Sequence, residues 1–117
     1  MADGVSRIST HVLDTALGVP AVGVPVCLEQ QESNAWRELG SSQTDGEGRC
    51  KQLLPEHHVL AVGRYRLVFN TDAYFSNQNA PGLYPVVEIT FDVRSGESHF
   101  HIPLLLSPNG YTTYRGS

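Results

Sequence analysis

Val86-Val87-Glu88-Ile89-Thr90-Phe91-Asp92-Val93 is the stretch whose reading decides the fold. Successive side chains of a strand point to opposite faces, so Val87, Ile89, Phe91 and Val93 make an apolar stripe. Glu88, Thr90 and Asp92 make a polar one. That alternation describes a strand with one face in a core and the other in water.

Outward from it, the same period of two recurs in Val22, Val24, Val26 and Leu28 and in Tyr65, Leu67 and Phe69. Strands are expected over 7–13, 23–30, 36–44, 48–53, 64–70, 86–93, 99–105 and 111–114. Turn signals such as Thr44-Asp45-Gly46-Glu47-Gly48 separate them at short intervals. The expected architecture is therefore all-β, an antiparallel sandwich or barrel. Pro25 lacks a backbone N–H and points outward, which places its strand at a sheet edge. One short helix is expected after Asn70, capped by Thr71 or Asp72.

A chain of 117 residues makes one domain, 1–117, large enough for a sizeable core. Its net charge of -4, with no Lys/Arg cluster, argues against nucleic acid and against an anionic membrane as partner. No apolar run is long enough to span a bilayer. Met1-Ala2-Asp3-Gly4-Val5-Ser6-Arg7 has no apolar leader segment, so the default expectation is a cytoplasmic protein. Cys27 and Cys50 fall in different strands and read as buried thiols.

Alternation also sorts the polar residues. With Ile8, Thr10 and Val12 inward, His11 points outward beside Ser9 and Arg7; with Phe100, Ile102 and Leu104 inward, His99 and His101 share the outer side. Cys50 inward leaves Arg49 outside. Histidines and an arginine from separate strands can thus meet on an outer sheet face. Such a face is flat, whereas ligand sites are concave, so packing against a symmetry-related copy would supply the walls and an oligomer is expected.

The chain finishes Tyr111-Thr112-Thr113-Tyr114-Arg115-Gly116-Ser117. Its aromatic run has β-propensity, which pins the end to a sheet. Arg115 then offers a forked donor and Gly116 permits close backbone approach. Ser117 offers a hydroxyl and an α-carboxylate.

Other chemistries fare worse on these residues. His99 and His101 sit two apart on one strand face, but no third ligand accompanies them at zinc spacing, so no metal is expected. Asp14 and Asp45 read as turn residues, and His57 and His58 as a solvated loop beside Glu56. There is no Gly-x-Ser-x-Gly elbow, which makes Ser117 a positioning or proton-shuttling group rather than a nucleophile. No phosphate loop or dinucleotide fingerprint is present.

Three segments together resemble the 5-hydroxyisourate hydrolases, the transthyretin-related enzymes of purine catabolism. They are Ser9-Thr10-His11-Val12-Leu13-Asp14-Thr15 with Gly18-Val19-Pro20-Ala21, the turn Thr44-Asp45-Gly46-Glu47-Gly48-Arg49, and His99-Phe100-His101-Ile102-Pro103-Leu104 through Tyr114-Arg115-Gly116-Ser117. The resemblance covers essentially the whole chain. It implies a transthyretin-like sandwich of two four-stranded sheets with one short helix, assembled as a homotetramer, a dimer of dimers with active sites between dimers. It implies hydrolysis of 5-hydroxyisourate to 2-oxo-4-hydroxy-4-carboxy-5-ureidoimidazoline in urate degradation, with no cofactor.

Carried over by motif, His11, Arg49, His101 and Ser117 are the expected catalytic residues. His11, Arg49, Tyr114, Arg115, Gly116 and Ser117 are expected to bind substrate, and His99 stands outside the core set. The rival reading is a carrier, since transthyretin binds thyroid hormone on this fold. Its sequences lack the histidine set and the Tyr-Arg-Gly-Ser ending found here. A structural or adhesive sandwich module is a third class, without supporting signs.

Overall fold

Tyr65, Leu67 and Phe69 from one sheet meet Ile8, Val12, Leu104 and Leu106 from the other, and all seven are essentially inaccessible to solvent. Burying each such side chain contributes about 1.5–3 kcal/mol, so this apolar layer holds the two sheets together. The computed structural model describes residues 6–117; the leader reading of the first five residues lies outside the described residues.

The strands in chain order are β1 (Arg7–Asp14), β2 (Val19–Pro20), β3 (Pro25–Glu32), β4 (Ala35–Gln43), β5 (Arg49–Cys50), β6 (Gly63–Phe69), β7 (Val87–Val93), β8 (His99–His101), β9 (Leu104–Ser107) and β10 (Gly110–Thr113). One sheet runs β4-β3-β6-β7, antiparallel throughout. The other runs β10-β9-β1-β2, with β5 and β8 also paired to β1. It counts six segments but is four strands wide. β8 and β9 lie in line along one side of β1, interrupted at Ile102-Pro103, and β5 and β2 lie in line along the other. The sandwich expected from the alternation is thus present, with alternation at β7 running from buried Val87 to buried Val93 through half-buried Ile89 and Phe91.

Three expectations need correction. β3 is central, flanked by β4 and β6, although Pro25 suggested an edge. Pro25 is the first residue of the strand, where a missing N–H costs no ladder bond, and its carbonyl accepts from Asn70 N–H at 2.9 Å. Second, β1 pairs with β8 and β9 in parallel rather than antiparallel fashion. The intervening chain builds the opposite sheet before it returns, so no hairpin ties these strands. Third, the helix α1 (Thr71–Asn77) is capped by Asn70, whose side chain accepts from Ala73 N–H at 3.1 Å, and not by Thr71 or Asp72.

α1 is held to β1 by a buried hydrogen bond. Tyr74 donates its hydroxyl to Asp14 Oδ2 at 2.7 Å, while Asp14 Oδ1 accepts from Leu17 N–H at 3.0 Å. Asp14 is therefore a buried polar anchor as well as a turn residue. Cys27 and Cys50 are both free thiols; Cys50 is buried as expected, whereas Cys27 is only half-buried. Burial, followed by the hydrogen bond to Glu38, pushes the Cys27 thiol up to about 12, which leaves it unreactive at neutral pH.

Candidate active site

Strand alternation sends Ser9 and His11 to the outer face of β1 while Ile8, Thr10 and Val12 are buried. In β8 the same rule buries Phe100 and leaves His101 half-buried on the outer side. Register then decides which of these residues meet. Parallel pairing sets Ser9 opposite His101, and antiparallel pairing with β5 sets His11 opposite Arg49. Two histidines and an arginine from three separate strands are thereby gathered on one patch of sheet.

Arg49 is delivered by the turn before it. Asp45 Oδ1 accepts from the backbone N–H of Glu47 at 2.8 Å and of Arg49 at 3.0 Å, and Gly48 N–H closes on the Asp45 carbonyl at 2.9 Å. These backbone donors, Arg49 first, hold the Asp45 carboxyl below its ordinary range. Gly48 has φ +79°, and a Cβ there would lie 2.5 Å from the Val12 carbonyl oxygen. Only glycine fits that approach.

The end of the chain completes the patch. β10 pairs antiparallel with β9, as its β-propensity implied, and beyond it Gly116 bridges to His101, donating its N–H to the His101 carbonyl at 2.7 Å. A cleft of about 300 Å³ results, lined by Ser9, Arg49, His101, Gly116 and Ser117, with Arg7 and His99 at the same opening. A second hollow of about 200 Å³ shares Arg7, Ser9, Arg49 and His101 and adds Lys51.

On this patch of sheet the ring nitrogens of the two histidines are committed unequally. His11 Nε2 lies 2.9 Å from the Glu47 carbonyl oxygen, which can only accept, so Nε2 carries the proton. His101 Nδ1 lies 2.8 Å from Ser9 Oγ, leaving Nε2 as the ring nitrogen not used by that contact. The His101 imidazole is held below its ordinary value, first by burial, then by the Arg49 guanidinium and His11. It is consequently neutral at pH 7 and able to accept a proton.

Not every expected site residue lines this cleft: His11 shares the sheet patch opposite Arg49 but lines neither hollow. Tyr114 and Arg115 line a different hollow of about 420 Å³ at the open edge of the sandwich, beside Phe91 and Phe100. Arg115 donates to Glu97 Oε2 at 3.0 Å and to the His99 carbonyl at 3.3 Å, and its guanidinium lies 4.4 Å from the Phe100 ring centroid. It clips the tail across β8. Ser9, in contrast, stands against His101 although its residue type alone does not mark it. The signal was its shared face with His11, but the meeting depends on a register between residues 92 apart. Among the described residues no group of three or more His, Cys, Asp or Glu side chains is placed to hold a metal ion.

The chain's relatives carry the same framework. The HIUase/Transthyretin family model matches residues 8–116. A 5-hydroxyisourate hydrolase of Salmonella typhi is 43% identical over 117 residues, covering 100% of this chain and 85% of the relative. The solved structure of Klebsiella pneumoniae 5-hydroxyisourate hydrolase superposes with a TM-score of 0.84 at 37% identity, covering 96% of this chain and 99% of that one. Sea bream transthyretin in complex with thyroxine superposes with a TM-score of 0.86 at 32% identity, covering 94% of each chain. With its sandwich, its histidine and arginine strands and these matches across nearly its full length, the chain belongs to the HIUase/Transthyretin family.

Proposed function

We propose that this chain hydrolyses 5-hydroxyisourate, opening its six-membered ring to give 2-oxo-4-hydroxy-4-carboxy-5-ureidoimidazoline. The observation that carries the reading is a half-buried His101, its pKa held down by burial and by Arg49, sharing with Arg49 a cleft large enough for a small bicyclic molecule. Full-length relatives named for this activity support the choice of substrate.

In the proposed reaction His101 takes a proton from water, which attacks the ring acyl carbon. In this reaction His101 Nδ1–H donates to Ser9 Oγ, 2.8 Å away, which leaves Nε2 unprotonated as the basic nitrogen. Arg49 receives the negative charge that develops on the acyl oxygen. The carbon–nitrogen bond then breaks, the protonated His101 returns its proton to the leaving nitrogen, and the product carries a carboxylate. His11, with Nε2 spent on Glu47, positions Arg49 and the water rather than acting as principal base. Ser117 orients water or substrate from the end of the cleft, and Gly116 lets that end lie against His101. Tyr114 and Arg115 contribute to binding by fixing the tail.

The proposal includes a single domain acting in the cytoplasm, and a homotetramer, a dimer of dimers in which a neighbouring copy walls the open side of each cleft. Its test is the ultraviolet decay of freshly prepared 5-hydroxyisourate. Acceleration over the spontaneous rate is expected, whereas thyroxine binding with no acceleration would replace the enzyme by a carrier.

A further inference from the structure

The cleft is electropositive although the chain is acidic. Arg7 and Arg49 line both of its adjoining hollows and Lys51 lines one, while apart from the chain end at Ser117 no acidic group lines either. The whole chain has a net charge of -4, so these cations are concentrated where a ligand would sit. Their pairing state separates them from ordinary surface arginines. Arg37, Arg64, Arg66 and Arg115 each hold a carboxylate, on Glu32, Asp92, Glu29 and Glu97, and Arg94, which holds none among the described residues, lines neither hollow. Among the described residues, Arg7 and Arg49 have no carboxylate within ion-pair distance.

Arg49 is already placed in the mechanism, but Arg7 is not. It is the exposed first residue of β1, on the same outer face as Ser9 and opposite His99 in register. One strand step of two residues, about 6.6–6.8 Å, separates it from Ser9, which is close to the width of a fused bicyclic ring. Its guanidinium spends one N–H on the Lys51 carbonyl at 3.4 Å and has further donors to offer. A planar fork of donors suits oxygen-rich, anionic groups.

We propose that Arg7 is a further substrate-binding residue, a second guanidinium that grips the ring edge remote from His101 and favours anionic over neutral ligands. Arg49 meets the oxyanion at the reacting carbon; Arg7 and Lys51 supply a field that draws planar anions into the cleft and holds them across it. Its contribution belongs to binding and differs from that of His101, which acts on the water. The proposal rests on the hydrolase reading for its natural substrate, but anion capture by Arg7 can be measured without turnover.

The probe is urate, a planar purine anion at neutral pH that a hydrolase of this type does not consume. Binding of urate to the full chain, to Arg7→Gln and to Arg7→Lys is measured by calorimetry at low and high ionic strength, alongside kcat and KM for 5-hydroxyisourate. Loss of one partly exposed charged contact corresponds to about a five-fold change. Arg7→Gln is expected to weaken urate binding and raise KM by about that factor, with a smaller effect on kcat. Arg7→Lys should recover most of the loss, and salt should weaken the wild type more than Arg7→Gln. Equal urate affinity in wild type and Arg7→Gln, or no urate binding by the wild type, overturns the proposal. Normal urate binding with no hydrolysis would sink the enzyme reading and leave this one standing.

Discussion

Gly116 N–H donates to the carbonyl of His101 at 2.7 Å, and a Cβ placed on Gly116 would lie 2.6 Å from His101 Cδ2. The end of the chain is therefore packed directly on the edge of the imidazole. This contact explains why glycine stands there, independently of any φ requirement. It also links the tail to the group proposed as base.

Gly116→Ala must push either the ring or the tail aside. A displacement near 1 Å at a reacting group costs on the order of 10²-fold. Turnover is expected to fall by about that factor, with the thermal midpoint little changed because the site is at the surface. A variant with wild-type kcat would show that the tail does not set the ring's position.

The electrostatic neighbours of His101 predict a pH effect with a definite sign. Burial and the nearby cations hold its pKa down, so the neutral base persists to lower pH than an ordinary histidine would allow. Removing the Arg49 charge with Arg49→Gln should raise the His101 pKa, moving the acid limb of activity to higher pH. Titration of the imidazole resonances by NMR measures this directly. A downward shift, or none, contradicts the assigned cause.

Ser9→Ala removes the partner of His101 Nδ1. A lost hydrogen bond contributes roughly 0.5–1.5 kcal/mol, so kcat should fall about two- to ten-fold with KM less affected. Ser9→Thr keeps the hydroxyl and should retain most activity. Equal kcat in Ser9→Ala and wild type would remove the positioning role.

Away from the site, Tyr74→Phe deletes the hydroxyl that donates to buried Asp14. The carboxylate then loses a buried partner, at a cost of about 1–3 kcal/mol. Thermal unfolding should show the loss while the activity of the folded enzyme stays near normal. An unchanged midpoint would mean that the bond adds nothing to the tie between α1 and β1.

Much of this arrangement was legible along the chain because strand alternation is local. The inward Ile8, Thr10 and Val12, the inward Phe100 and the outward His11, Arg49 and His101 all follow from a period of two. The pairing of strands distant in sequence was not legible. Ser9 meets His101 through a parallel register across 92 positions, and no local pattern encodes such a register. Pro25 misled for a related reason, since its missing N–H matters only inside a ladder, and it begins one. Arg115 carried the right chemistry for the cleft but found Glu97 and Phe100 on the other side of the tail.

The central claim is that His101 performs base catalysis on 5-hydroxyisourate, and one comparison tests it most directly. Ultraviolet decay of freshly prepared 5-hydroxyisourate is followed with wild type and with folded His101→Asn at neutral pH. Wild type should accelerate the decay, and the variant should be slower by on the order of 10² or more. Near-native turnover by His101→Asn, or no acceleration by wild type, would contradict the account.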